Sequence, residues 1–252
     1  FEEPLDLNYV SSSAETDIIS MFKSQQLFYV SNLTAETAAE FSKRQLEYAK
    51  LSSTYSFIFN MDNKLFQSAD VRYALSIALD RDYIASIVGA GAEAATGIIP
   101  STIFETTSGT SFRKKGNGVL SSSAQFDEAK QILKDAGINP MAYDDIYLYY
   151  RSDETNDSYA SSALGFNSKE KAIATYVREV WNKLGFNVVL RASNAKVYED
   201  ALKNGDYDVI GLDYQMLSAY AIYDLAAFAT QYSGSVDTSV QTEDAYKAVP
   251  GI

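Results

Sequence analysis

No cysteine and no histidine occurs in the 252 residues, and there are only four prolines and one tryptophan. Without cysteine there is no disulfide, no thiol nucleophile and no thiolate metal site. Without histidine there is no Ser-His-Asp apparatus, and the commonest zinc ligand is missing. No catalytic residue, cofactor or metal is assigned, although carboxylate chemistry and calcium-type oxygen sites stay open. Basic residues are scarce too: 21 Lys and Arg stand against 33 Asp and Glu, a net charge of −12. So acidic a surface repels the phosphates of nucleic acids and anionic lipids, so no nucleic-acid partner is expected. The one basic cluster, Arg113, Lys114 and Lys115 ahead of Gly116-Asn117-Gly118, reads as a solvated loop. No apolar run reaches the roughly 18 residues that cross a bilayer. Phe1-Glu2-Glu3-Pro4 is unlike a basic-then-apolar leader, so the chain is expected to be mature or excised from something longer. No Pro-rich or Gly/Ser-rich linker divides it, which predicts one domain over residues 1–252.

What is present is a core. Hydrophobic residues make up 46% of the chain, enough for a domain of this size. Ile173, Tyr176, Val177, Val180, Trp181 and Leu184 recur on one face of a helix beginning near Asn167, where Asn167 and Glu170 resemble a capping box. Gly185 stands where that helix stops. Strands are expected over residues 186–190, 207–212 and 146–150, with a helix over 195–203 stopped near Gly205. Strand, helix, strand, helix, strand predicts parallel pairing through helical crossovers. In the first half, Thr34 is placed to cap a helix running toward Lys50, and residues 54–60 are β-rich. Ser68 or Asp70 caps a helix carrying Val71, Ala74, Leu75 and Ala78; Asp80 caps the next, through Ile84, Ile87 and Val88. Ala129, Ile132, Leu133 and Ala136 form a further stripe ended by Gly137. The fold class is α/β, a mixed sheet with flanking helices.

Several short patterns carry little. Gly89-x-Gly91-x-x-Ala94 mimics a dinucleotide fingerprint but follows a helix instead of a strand. Asp144-Asp145 and the group Asp153, Glu154, Asp157 lack the spacing of a calcium loop and read as solvated turns. Asn32-Leu33-Thr34 and Asn156-Asp157-Ser158 match a glycosylation pattern too short to weigh. The 19 tyrosines include Tyr147, Tyr149 and Tyr150; alternation along a strand puts the first two on one face and Tyr150 on the other.

Three segments together resemble one family. They are YSFIFNMDNKLFQSADVRYALSIALDRD at Tyr55–Asp82, FDEAKQILKDAG at Phe126–Gly137, and Lys171–Val209 with its LGFNVVL and NGDYDV. Their order and spacing resemble the family 5 extracellular solute-binding proteins of ABC importers, which include oligopeptide-, dipeptide- and nickel-binding members. The resemblance implies a periplasmic-binding-protein-like lobe of class II type. It spans nearly the whole chain but only part of the family's length, which implies a continuous second lobe with the first lobe absent. Within the signature, Val71, Ala74, Leu75 and Ala78 read as packing, and Arg72 and Arg81 as partners for nearby carboxylates or carbonyls.

The ligand segment is expected just after the strand at 207–212, since ligands gather beyond strand carboxyl ends in open α/β sheets. It runs Asp213, Tyr214, Gln215, Met216, Leu217, Ser218, and Asp213, Tyr214, Gln215 and Ser218 are the candidate ligand-binding residues. Peptide-binding relatives carry a cleft-lining Trp where Tyr214 stands, and an Asp that pairs with the peptide amino terminus where Leu217 stands. Either Asp213 replaces that anchor or the ligand lacks a free amine there; the plainer alternative is that Tyr214 and Met216 pack and Asp213 caps a turn. The resemblance implies capture of a peptide or similar small solute between two lobes, delivery to an ABC permease in the membrane, no catalysis, and an extracytoplasmic location, as a cell-surface lipoprotein or in the periplasm. The alternatives are a carboxylate-dependent surface hydrolase, needing two carboxylates about 5 to 9.5 Å apart, and a non-catalytic adhesion domain.

Overall fold

The computed structural model describes residues 15–31, 33, 35–89, 91–104, 108–116, 118–152, 166–216 and 219–226. The chain divides into two compact units, residues 1–47 and 48–252. In the first, helix α1 (Glu15–Lys23) and the short α2 (Ala35–Ala38) are described. Ile19 and Ala38 are buried, Phe22 meets Phe41 edge to face, and Lys23 pairs with Glu40 at 2.6 Å. The helix expected from Thr34 toward Lys50 stops after Ala38, and Thr34 itself lies outside the described residues. Ser42 gives the reason: its N–H and hydroxyl both bond Gln45 Oε1, at 3.2 and 2.7 Å, a local turn that competes with helix.

The second unit is built on a four-stranded sheet in the order β1 (Ser53–Phe59), β4 (Val209–Gln215), β2 (Ile146–Arg151), β3 (Val188–Ser193). Strand β2 is parallel to both β3 and β4, as the alternation of strands and helices predicts, while β1 joins the β4 edge antiparallel. The sheet is mixed for that reason.

Two layers of helix cover it. One face carries Tyr55, Phe57, Phe59, Ile146, Leu148, Tyr150 and Val209 and packs on α4 (Ala69–Ile77), α7 (Phe126–Asp135) and α8 (Phe166–Lys183). Trp181 is its centre: the ring stacks on Phe59 at 5.9 Å and the indole N–H donates to the Leu75 carbonyl at 3.0 Å. Val71, Ala74, Leu75 and Ala78 are all buried there, so the helical signature is packing. The opposite face carries Ile58, Tyr149, Ile210 and Leu212 and packs on Tyr198 and Leu202 of α9 (Ala195–Asn204). Tyr150 therefore lies in the larger core, and Tyr149 on the other side of the sheet.

The caps follow the sequence. Ser68 caps α4, and Asp80 caps α5 (Arg81–Val88) through Oδ1 to the Tyr83 N–H at 2.8 Å. Gly205 closes α9 at φ 74°, a left-handed conformation cheap only for glycine. Arg72 and Arg81 bind carbonyls, Arg72 that of Gln67 and Arg81 those of Leu79 and Ser76. Two local readings change. Helix α8 begins at Phe166, so Asn167 lies inside the helix and not at its cap, and Glu170 is drawn inward, 7% exposed. Arg113 is not a loop cation: it lies on a short helix, α6 (Phe112–Lys115), and donates to the carbonyls of Ile99 and Gly97 at 2.8 and 3.1 Å. Burial pulls its guanidinium below the ordinary value.

Candidate functional site

The parallel strands end together at one edge of the sheet, and their ladder ends unevenly. The β2–β4 pairing stops at Tyr149 and Ile210. Beyond it, β2 runs on with β3 to the pair Arg151 and Ser193, while β4 runs on with β1 to the pair Gln215 and Ser53. The sheet forks.

Backbone alternation fixes what faces the fork. Asn60 donates to the Asp208 carbonyl and Met216 to that of Ser52, so even-numbered β4 residues exchange bonds with β1. The N–H and C=O groups of Val209, Gly211, Asp213 and Gln215 then point toward β2. The next rung would run from the Arg151 N–H to the Gly211 carbonyl. It is not made. The Arg151 N–H donates to Glu170 Oε2 at 2.9 Å, and the Gly211 carbonyl accepts from the Tyr198 hydroxyl at 2.6 Å. Each strand group is met by a side chain, one from α8 and one from α9, on opposite faces.

Gly211 is held on a second side as well. A Cβ built there would meet the Tyr55 ring, its Cζ 2.9 Å away; only a residue without a side chain leaves room for that ring across the strand. Burial pushes the Tyr55 and Tyr198 phenols well above the ordinary value, with Glu170 adding to it. Tyr198 therefore stays a donor at any physiological pH.

Asp213, Tyr214 and Gln215 lie within β4, not after it. The apolar pattern ends at Leu212, but β1 supplies antiparallel partners down to Ser53 and carries the strand on to Gln215. Asp213 and Gln215 are exposed, on the fork edge. Partial burial raises the Asp213 carboxyl above its ordinary value against the opposing hydrogen bond from Ser53, even though the residue keeps an open face to water. Tyr214 points the other way, into a small cluster with Ile99, Ile103, Phe112 and Met216, so for Tyr214 and Met216 packing is what the structure shows. Leu217 and Ser218 lie outside the described residues.

Sequence reading does not mark Tyr198 or Gly211, and marks Glu170 only as part of a helix cap. Gly211 carries a signal, a glycine between Ile210 and Leu212 inside a branched apolar strand, which is a mark of close approach. Tyr198 carries none, and the local pattern at Glu170 does not point to β2, because each acts on a strand distant in sequence. Elsewhere, an open hollow on the helical layer is lined by Tyr83 and Ile87 of α5 and by Lys171, Thr175, Tyr176 and Glu179 of α8. Among the described residues no group of acidic side chains is arranged to hold a metal, and no helix is long and apolar enough to cross a membrane.

Known proteins bear on this geometry. The chain is 29% identical over 168 residues to the oligopeptide-binding protein OppA of Bacillus subtilis strain 168, a stretch covering 65% of this chain and 28% of that protein. Among solved structures, the substrate-binding domain of an oligopeptide ABC transporter from Bacillus anthracis strain Ames superposes with a TM-score of 0.64 at 17% identity, covering 86% of this chain and 41% of that one. The peptide-bound OppA of Listeria monocytogenes superposes at 0.60 with 20% identity, over 84% and 40% of the two chains. At such identities the likeness is one of fold, that of periplasmic-binding-protein-like structures. The chain spans less than half the length of these relatives. The model of the bacterial extracellular solute-binding proteins, family 5 Middle, matches residues 6–234, and the chain belongs to that family.

Proposed function

We propose that residues 1–252 form the second lobe of a two-lobe solute-binding protein of an ABC importer, which captures short peptides or similar small solutes between this lobe and a first lobe outside the chain. The observation that carries this reading is the unpaired β4 edge beyond Ile210, to which no strand pairs among the described residues. Backbone groups at Asp213 and Gln215 face that gap, and an extended peptide is the ligand whose own N–H and C=O groups match such an edge. Asp213 supplies an acceptor for a peptide amine, Gln215 and Ser218 supply amide and hydroxyl contacts, and Tyr214 stiffens the strand from behind. Ligand bridging both lobes favours the closed state, which an ABC permease in the membrane recognises. The protein acts outside the cytoplasm, as a surface lipoprotein or in the periplasm, by binding and not by catalysis.

The test is calorimetric titration with a pool of unmodified tri- to hexapeptides, on the full polypeptide in which the chain occurs and on the 252-residue chain alone. The full polypeptide should bind some member at micromolar Kd or tighter, on the order of −8 kcal/mol, and the isolated chain far more weakly, since half of the enclosing surface is missing. No binding by the full polypeptide removes the peptide assignment. Tight binding by the isolated chain removes the half-cleft.

A further inference from the structure

Resting on the reading that peptide lies along β4, we propose that Tyr198 is a positioning residue: by taking the Gly211 carbonyl it holds the sheet open at the fork and keeps the Asp213–Gln215 edge free for peptide. The argument is a count of rungs. The β2–β4 pairs Leu148–Val209 and Tyr149–Ile210 set the phase of the parallel ladder. Its next bond joins the Arg151 N–H to the Gly211 carbonyl, and the one after joins the Asp213 N–H to the Arg151 carbonyl. Both strands extend far enough to make these bonds, as Arg151 ends β2 and β4 continues to Gln215. The first is replaced by Glu170 on one strand and Tyr198 on the other. Tyr198 is 9% exposed, so its hydroxyl bond is sheltered from competing water. With that bond made, the Asp213 N–H stays on a free edge, where an incoming peptide carbonyl can take it in place of β2.

Amide hydrogen exchange at Asp213 separates this role from a merely structural one. Loss of a structural bond loosens the sheet and speeds exchange; loss of a wedge lets the ladder close by a rung and slows it. In the full polypeptide, Tyr198→Phe combined with Glu170→Ala should slow Asp213 exchange on the order of tenfold, about one hydrogen bond's worth, and weaken the tightest peptide of the pool by a similar factor. Glu170→Gln, which keeps an acceptor for Arg151, should match the parent in both. If the double variant does not fold, Tyr198→Phe alone is read in the same way with a smaller change. Faster or unaltered exchange, or slowed exchange with unaltered affinity, overturns the inference. The underlying reading has its own control: peptide added to the unaltered protein should itself protect the Asp213 amide. Binding without that protection sinks the β4-edge reading and this inference with it, whereas protection with an inert Tyr198 sinks the inference alone.

Discussion

The two ends of the parallel strands use the same device to opposite effect. At the amino-terminal end, Asn60 Nδ2 donates to the carbonyls of Gly205 and Tyr207 at 2.9 and 2.8 Å. Asp208 accepts there from Asn63 Nδ2 and from the Tyr147 N–H, at 2.8 and 2.9 Å. These side chains bridge β1, β2 and β4 and draw them together. At the carboxyl end, Glu170 and Tyr198 satisfy strand groups one at a time and leave the strands apart. A buried strand group must be satisfied in either case; what differs is whether its partner comes from the neighbouring strand's side or stands in for that strand. One end ties the strands together, and the other leaves the β4 edge beyond Ile210 without a partner strand among the described residues.

The largest expected effect is at the anchored end. Asp208→Ala leaves the Asn63 amide and the Tyr147 N–H without their acceptor and should cost about 2–4 kcal/mol in chemical denaturation, with peptide affinity of the folded protein unchanged. A loss of affinity with unaltered stability would reverse the roles of the two ends. Gly211→Ala comes next. Its methyl group meets the Tyr55 ring, and overpacking of this kind costs about 1–3 kcal/mol. Because the displaced strand bears Asp213, peptide affinity should fall together with stability, unlike in Asp208→Ala.

The same contrast describes how much the sequence discloses. The α8 face from Ile173 to Leu184, the caps at Ser68 and Asp80, and the stop at Gly205 follow from periodicity and local chemistry, and all are present. Strand-helix alternation carries the parallel order of β2, β3 and β4. The antiparallel place of β1 could not be read, because it depends on pairing across about 150 residues of chain, 53–59 with 209–215. Asp213, Tyr214 and Gln215 read as loop but lie in β4, since the end of an apolar run marks the end of burial and not of pairing. Glu170 misleads for a related reason: the capping-box pattern is local, while the group it satisfies, the Arg151 N–H, belongs to another element. Arg113 looked solvated because its acceptors are backbone carbonyls, which leave no trace in a charge pattern.

The smallest expected effect is electrostatic and sets stability against binding at the open end. Burial raises the Asp213 carboxyl above its ordinary value of 3.8, so the folded chain holds this proton more firmly than the unfolded chain does. Stability from this group is full below that ordinary value and is lost as pH rises through the raised one. Relative to Asp213→Asn, the parent should therefore lose stability over that window and then level off, by a small amount because the side chain keeps much of its contact with water. Affinity for a peptide with a free amino terminus should move the other way: the ammonium favours the charged carboxylate, so binding strengthens as pH rises through the same window. An N-acetylated copy of the peptide should show no such rise, and Asp213→Asn should abolish it. Denaturation and titration across the acid range thus read one proton twice, with opposite signs. A stability change without the matching rise in affinity would leave Asp213 a strand residue and move the amine contact off β4.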